Sequence, residues 1–158
     1  MSGLDVLSTV GGLERERNIL RYRPASTQVR GCADAKLVDV ARVVAAGLLA
    51  AGDNISVCLD PSLGEGLGRA LRSVGVAVTT ASDEDWYASL GASRVRLVGG
   101  NPSRAADEAD GDPDLALWAN EVTSAPQVEL LPFLREQSVS MTAHRFGNPD
   151  AGVLSVRL

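Results

Sequence analysis

The sequence predicts an α/β protein built on a doubly wound, mostly parallel Rossmann-like sheet with helices on both faces. Three observations carry that expectation. Short Val- and Leu-rich runs alternate with longer stretches whose apolar residues recur at helical spacing. Gly, Pro, Asn, Asp and Ser punctuate the joins. The alternation continues through most of the chain, which is the signature of βαβ units, whose crossovers are right-handed.

The elements follow in order from residue 25. TQVRGC is a strand. DAKLVDVARVVAAGLLAAG is a helix with Leu37, Val40, Ala41, Val44 and Leu48 inward, Lys36, Asp39 and Arg42 opposite, Asp34 as N-cap and Gly52 as stop. NISVCLD is a strand, and SLGEGLGRALRSVG a helix with Leu63, Leu67, Leu71 and Val74 inward. VAVTTA is a strand. SDEDWYASLGA opens a helix on a Ser82 cap, with acids in the first turn where the helix dipole favours them. RVRLVG is a strand, and NPSRAADEA starts on an Asn101 cap with Pro102 at the first helical position. LALWA is a strand, VELLPFLREQ a short helix and SVSMTA a strand, and the tail GVLSVRL is expected to add an edge strand. Residues 1–24 read differently. MSGLDVLSTVGG is small and polar, and LERERNILRYRP sets four arginines among little apolar material, with an extended stretch at Ile19–Tyr22 that Pro24 ends. The expected organisation is a linker or docking arm over 1–24 and an α/β domain over 25–158.

Composition narrows the function classes. A chain of 158 residues with 45% apolar and 22% charged content is expected to be one globular domain in a soluble setting. A net charge of −5 disfavours a nucleic-acid or anionic-membrane surface, and no apolar run is long enough for a membrane span. The N-terminal stretch lacks a basic region, so no signal peptide is expected. Two cysteines in strand contexts, Cys32 and Cys58, suit a reducing cytoplasm. Lys36 is the only lysine, and the Ala-, Arg- and Asp-rich bias suggests a GC-rich bacterial genome.

Sheets of this kind bind ligands at the carboxyl ends of their strands, so any site is expected there. RGCADAKL has one glycine where a dinucleotide fingerprint needs three. Asp60 suits a turn or cap better than a ribose acid, and LGEGLG fits neither phosphate-loop spacing. VGGNPSR offers a weak anion site at Gly99, Gly100, Asn101 and Ser103, although any capped strand-to-helix turn uses the same residues. DGDPDLALWANE misses the calcium-loop pattern at Leu115 and reads as a solvated acidic turn. Neither cysteine has the surroundings of a nucleophile, and one histidine with two distant cysteines makes no metal set. His144, the only histidine, has no acid beside it in sequence. HRFG at a strand end suits a contact edge as well as an active site. No catalytic residue, cofactor site or metal site is assigned on these grounds.

ERERNILRYRP before a strand, and VELLPFLREQSVSMTAHRFGNP near the end, resemble the C-terminal region of the proline utilization A family in its longer actinobacterial form. That family comprises bifunctional proline dehydrogenase / L-glutamate-γ-semialdehyde dehydrogenases (Δ1-pyrroline-5-carboxylate dehydrogenases). The likeness covers roughly residues 13–149, and VVAAGLL, RVRLVGG and VTSAPQVELLPFLREQ keep the order of elements between the two motifs. It implies an aldehyde-dehydrogenase-superfamily-like domain without its own catalysis, packed on the dehydrogenase domain of the same polypeptide and helping to cover the tunnel between the active sites. It implies Arg21, Tyr22 and Arg23 as an arm, and Ser138, Ser140, Thr142, His144, Arg145 and Phe146 as interface residues. NAD and FAD are then expected only in the catalytic domains, which these residues do not include, and self-association is expected of the isolated domain. The alternative is a stand-alone nucleotide- or anion-binding Rossmann-like protein. The tail 150–158 matches nothing in the family.

Overall fold

The computed structural model describes residues 8–9, 16–142, 144–145, 148–149 and 152. In chain order the elements are β1 (Ser8–Thr9), β2 (Glu16–Pro24), β3 (Thr27–Gly31), α1 (Leu37–Ala51), β4 (Ile55–Leu59), α2 (Glu65–Ser73), β5 (Ala77–Thr80), α3 (Asp83–Ala88), β6 (Arg94–Val98), α4 (Pro102–Glu108), β7 (Ala116–Trp118), α5 (Pro126–Leu130), β8 (Leu134–Thr142), β9 (His144–Arg145) and β10 (Asn148–Pro149). Residues 24–134 form one compact unit, and the two ends of the chain, up to 23 and from 135, contribute a second. The sequence pattern draws one boundary, near 24; the structure draws another at 134.

The larger unit is the α/β domain. Its five strands are parallel, in the order β5-β4-β3-β6-β7, so the order reverses between β3 and β6. Period-two alternation sends Val29, Val57 and Leu59 to one face, where they pack on Val40, Val43 and Val44 of α1, Leu71 of α2 and Phe133. Neighbouring strand residues feed the opposite face, where Cys32, Cys58, Val95 and Leu97 pack on Trp86 and Tyr87 of α3 and Ala105 of α4. Helices thus cover both faces, as expected of a doubly wound sheet. Gly47 lets α1 approach closely, because a Cβ there would stand 2.8 Å from the Phe133 ring.

The helix starts expected at Ser82 and Asn101 form as capped turns. Ser82 Oγ accepts the Asp85 N–H, and Asn101 Oδ1 accepts those of Ser103 and Arg104. Gly52 ends α1 at φ +60°, its N–H donating to the Leu48 carbonyl. Four details differ from the sequence reading. Helix α1 is apolar nearly all round, so its periodicity leaves the phase open; the buried positions are 40, 43, 44, 47, 50 and 51, while Leu37, Ala41 and Leu48 are exposed. Asp34 does not cap α1, which starts at Leu37 with Lys36 at the N-cap and no side-chain cap; the Asp34 carboxylate accepts the Gly100 N–H instead. Val74 lies past the last turn of α2 and is exposed. Finally, α5 stops at Leu130, a 3-10 turn follows over Leu131–Phe133, and β8 starts at Leu134. Pro132 at the head of that turn cannot donate the N–H a continuing helix needs.

In the second unit β1, β2 and β8 form a sheet in that order, with Ser8 opposite Leu20 and Thr9 opposite Ile19. β9 and β10 form an antiparallel pair. The tail expected as an edge strand lies outside the described residues except for Gly152.

Candidate functional site

The carboxyl ends of the parallel strands bring four charged side chains into two fixed arrangements. Arg30, on β3, is fully buried and aims at the ends of β4 and β5. Its Nη2 donates to Asp83 Oδ1 at 2.6 Å and lies 3.7 Å from Asp60 Oδ2, while Nη1 donates to the Ala81 carbonyl and to Cys58 Sγ. The guanidinium also stands 5.3 Å from the Trp86 ring centroid. Asp60 in turn accepts from the Ser62 N–H and hydroxyl and from the Asp83 N–H, and Asp83 accepts from the Ala33 N–H. Burial pushes the Asp60 carboxyl up, but the Ser62 and Asp83 donors and the nearby Arg30 outweigh it and hold it below the usual aspartate range. Asp60 is therefore a turn-capping residue, and its oxygens are committed within the protein.

The second arrangement lies where the strand order reverses. A crevice of about 400 Å³ opens there, lined among others by Asp34, Lys36, Asp39, Gly99, Gly100 and Glu121. Asp34 Oδ1 accepts the Gly100 N–H at 2.7 Å. Gly99 and Gly100 hold φ of +71° and +74°, and neither tolerates a side chain. A Cβ on Gly99 would meet the Asp34 carboxylate, and one on Gly100 would stand 2.5 Å from Cys32 Sγ. Two other N–H groups of the anion candidate are engaged too. Asn101 donates to the Tyr87 hydroxyl, and Ser103 to Asn101 Oδ1. The anion position is thus filled by a carboxylate of the chain itself, and three carboxylates face one lysine around the crevice. A second cleft, of about 520 Å³, lies over the ends of β4 and β5 beside Asp60, Glu65, Arg69, Arg72 and Thr80. Its charged groups pair locally, Arg69 with Glu65 and Arg72 with the Val78 carbonyl.

Cys32 and Cys58 are both buried. Burial first, then the charge of Asp83, pushes the Cys32 thiol up to about 12, so it stays protonated at neutral pH. Among the described residues no group of three or more His, Cys, Asp or Glu side chains is placed to hold a metal ion. No helix among them is long and apolar enough to cross a membrane.

The expected contact residues fall on the second sheet. Arg21, Tyr22 and Arg23 lie on β2, and Ser138, Ser140 and Thr142 are exposed at alternate positions of β8. Arg21 Nε donates to Gln137 Oε1 at 2.6 Å, and the Tyr22 hydroxyl donates to Glu136 Oε1 at 3.1 Å. That bond, with the negative charge of Glu136, raises the Tyr22 phenol above its ordinary value. His144 and Arg145 form β9, with only their backbone described, and Phe146 lies outside the described residues. Gln137 and Glu136 were not singled out from sequence, since their partners are more than a hundred residues away. The buried pair Arg96–Glu129, 33 residues apart, carries no local signal either; RVRLVG reads as an ordinary buried strand.

A five-stranded parallel sheet in this order, covered on both faces, defines a Rossmann-like α/β domain. Among solved structures the chain is similar to Proline Utilization A (PutA) from Corynebacterium freiburgense, at 25% identity and a TM-score of 0.43. The match covers 86% of this chain and 11% of that one. No family model and no curated protein matches the chain.

Proposed function

We propose that this chain is a non-catalytic C-terminal domain of a bifunctional proline-catabolic enzyme that oxidises proline to glutamate through Δ1-pyrroline-5-carboxylate and glutamate semialdehyde. In this reading it packs on the dehydrogenase domain of the same polypeptide and covers the tunnel through which the intermediate passes. NAD and FAD belong to the catalytic domains, and the location is the bacterial cytoplasm. The observation that carries the reading is the pairing of the two motif-bearing stretches. ERNILRYRP and LREQSVSMT, from the two motifs, lie on neighbouring strands tied by Arg21–Gln137 and Tyr22–Glu136. A strand that exposes Ser138, Ser140 and Thr142 on one face suits a contact surface. The stand-alone nucleotide-binding alternative has less support, because Asp34 holds the Gly100 N–H that a phosphate would need.

The test is coupled turnover by the full-length enzyme with and without residues 25–158. A lag in NADH formation from proline, with lower dehydrogenase activity after truncation, is the expected result. Unchanged coupled turnover, or NAD⁺-dependent semialdehyde oxidation by this chain alone, would overturn the reading.

A further inference from the structure

Arg69 and Arg72 of α2 are held differently from the arginines of the core. Arg30 and Arg96 are fully buried, and each meets a carboxylate. Arg69 and Arg72 are exposed, and among the described residues each makes one hydrogen bond, Arg69 to Glu65 Oε2 and Arg72 to the Val78 carbonyl. Both bonds are 3.4 Å long, beyond the usual range of about 2.7–3.2 Å. Three positions apart, the two guanidinium groups share one side of α2, where like charges repel. Both line the cleft of about 520 Å³ over the ends of β4 and β5. Two loosely held cations therefore face one cavity, at the end of a doubly wound sheet where ligands bind.

The rest of the lining narrows the ligand. Thr80 is exposed in the cleft, and its hydroxyl has no hydrogen-bond partner among the described residues. Gly68 also lines it, and a Cβ there would make only ordinary contacts, at 3.5 Å or more, with Arg72, Leu59 and Val78. The fold therefore does not require glycine at this helical position, and glycine leaves the cleft wider beside Arg72. Two acids stand nearby. The Asp60 oxygens are taken by Ser62 and Asp83 donors beside Arg30, and Glu65 is 92% exposed, free to leave a surface pair of little worth. A phosphate monoester brings close to two negative charges at neutral pH and three acceptor oxygens, and guanidinium forks match its geometry. The cleft is larger than a phosphate group, and Leu59 and Pro61 offer apolar contact to an organic body. We propose that this cleft binds a small organic phosphate monoester, with Arg69, Arg72 and the Thr80 hydroxyl holding the phosphoryl group. The proposal does not rest on the function proposed above, and it concerns residues other than the Gly99–Gly100 crevice, where Asp34 already holds the Gly100 N–H.

The experiment is an NMR titration of the 158-residue chain with inorganic phosphate, glucose 6-phosphate and AMP, at an ionic strength held constant with sodium chloride. The Arg69 and Arg72 side-chain Nε–H signals and the Gly68 amide are expected to shift and saturate, and at least one monoester should bind more tightly than inorganic phosphate. Arg69→Gln and Arg72→Gln should each weaken binding about tenfold, the loss of one charged hydrogen bond. Arg69 is 79% exposed, so its variant should fold as the wild type does. Arg42→Gln, at an exposed arginine of α1, should leave the affinity unchanged. Shifts that chloride alone reproduces overturn the proposal, as does binding that survives both glutamine variants. Saturable shifts centred on Gly99 and Gly100 overturn it in favour of the other crevice, and monoesters no tighter than inorganic phosphate overturn the organic ligand.

Discussion

Arg96 and Glu129 offer the sharpest test of how this fold is held. Arg96 is fully buried on β6 and Glu129 is 2% exposed on α5. Arg96 Nε and Nη2 meet the Glu129 carboxylate at 3.1 to 3.3 Å, and Nη1 donates to the Trp118 and Asn120 carbonyls. Glu129 Oε1 also accepts the Thr123 N–H at 2.7 Å. One pair therefore ties β6, the loop after β7 and α5 together. Glu129→Ala strands a guanidinium in the core and leaves the Thr123 N–H without its acceptor. Removing one partner of a buried pair costs about 3–5 kcal/mol. The carbonyl acceptors of Arg96 remain, so the lower end, about 3 kcal/mol, is expected. At about 2–4 °C per kcal/mol for a chain of this length, the thermal midpoint should fall by roughly 10 °C. Glu129→Gln keeps the shape and the Thr123 contact and should lose about half as much. Urea unfolding of Arg96→Met, Glu129→Ala and the double variant completes a cycle whose coupling should be on the order of 2 kcal/mol. A Glu129→Ala chain within about 1 kcal/mol of wild type, or a coupling near zero, would refute the reasoning.

Two glycines in helices should respond oppositely to alanine. Gly66→Ala in α2 meets open space and should stabilise by about 1 kcal/mol through helix propensity, whereas Gly47→Ala drives a methyl against Phe133 and should destabilise by about 1–3 kcal/mol, both read by urea unfolding. The depressed Asp60 carboxyl gives stability that is fully present above the unfolded aspartate value of about 4 and is lost as pH falls through the lower folded value. Stability should therefore decline below that point, and Asp60→Asn should shallow the decline; an unchanged slope argues against it. With its thiol pushed up to about 12, Cys32 should resist iodoacetamide in the folded chain at neutral pH and react only on unfolding, which mass spectrometry of quenched samples would follow.

The five sheet strands and the capped starts of α3 and α4 were legible because each depends on residues a few positions apart. Val and Leu runs bounded by turn residues mark the strands, and Ser82 or Asn101 before a helical pattern marks a start. The phase of α1 was not legible, since apolar residues occupy both its faces and only the sheet decides which is buried. Arg30 and Arg96 were read as strand positions in TQVRGC and RVRLVG. Their burial depends on Asp83 and Glu129, which lie 53 and 33 residues further on, and local pattern carries no information about such partners. Asp34 looked like a cap because Asp before a helix usually is one, yet the Gly100 N–H, 66 residues away, competes for the same carboxylate and wins. The pairing of β2 with β8 spans the whole α/β unit and was invisible for the same reason, although both stretches had been singled out as contact segments.

The charges at the strand ends share one logic. In a doubly wound sheet the loops after the strands converge, and their backbone N–H groups point into the same crevice, so something negative is favoured there. This chain supplies the negative groups itself. Asp83 takes the Ala33 N–H, Asp60 takes those of Ser62 and Asp83, and Asp34 takes that of Gly100. Arg30 sits between Asp60 and Asp83 and offsets the charge they bring into the interior. The close approach of Gly99 and Gly100 to Asp34 and Cys32 leaves no room for even a Cβ between the loops after β3 and β6. A phosphate entering there has to displace Asp34 from the Gly100 N–H and then stand beside Asp39 and Glu121, losing once to a broken hydrogen bond and again to like charge. Asp34, Asp60 and Asp83 thus join one strand end to the next.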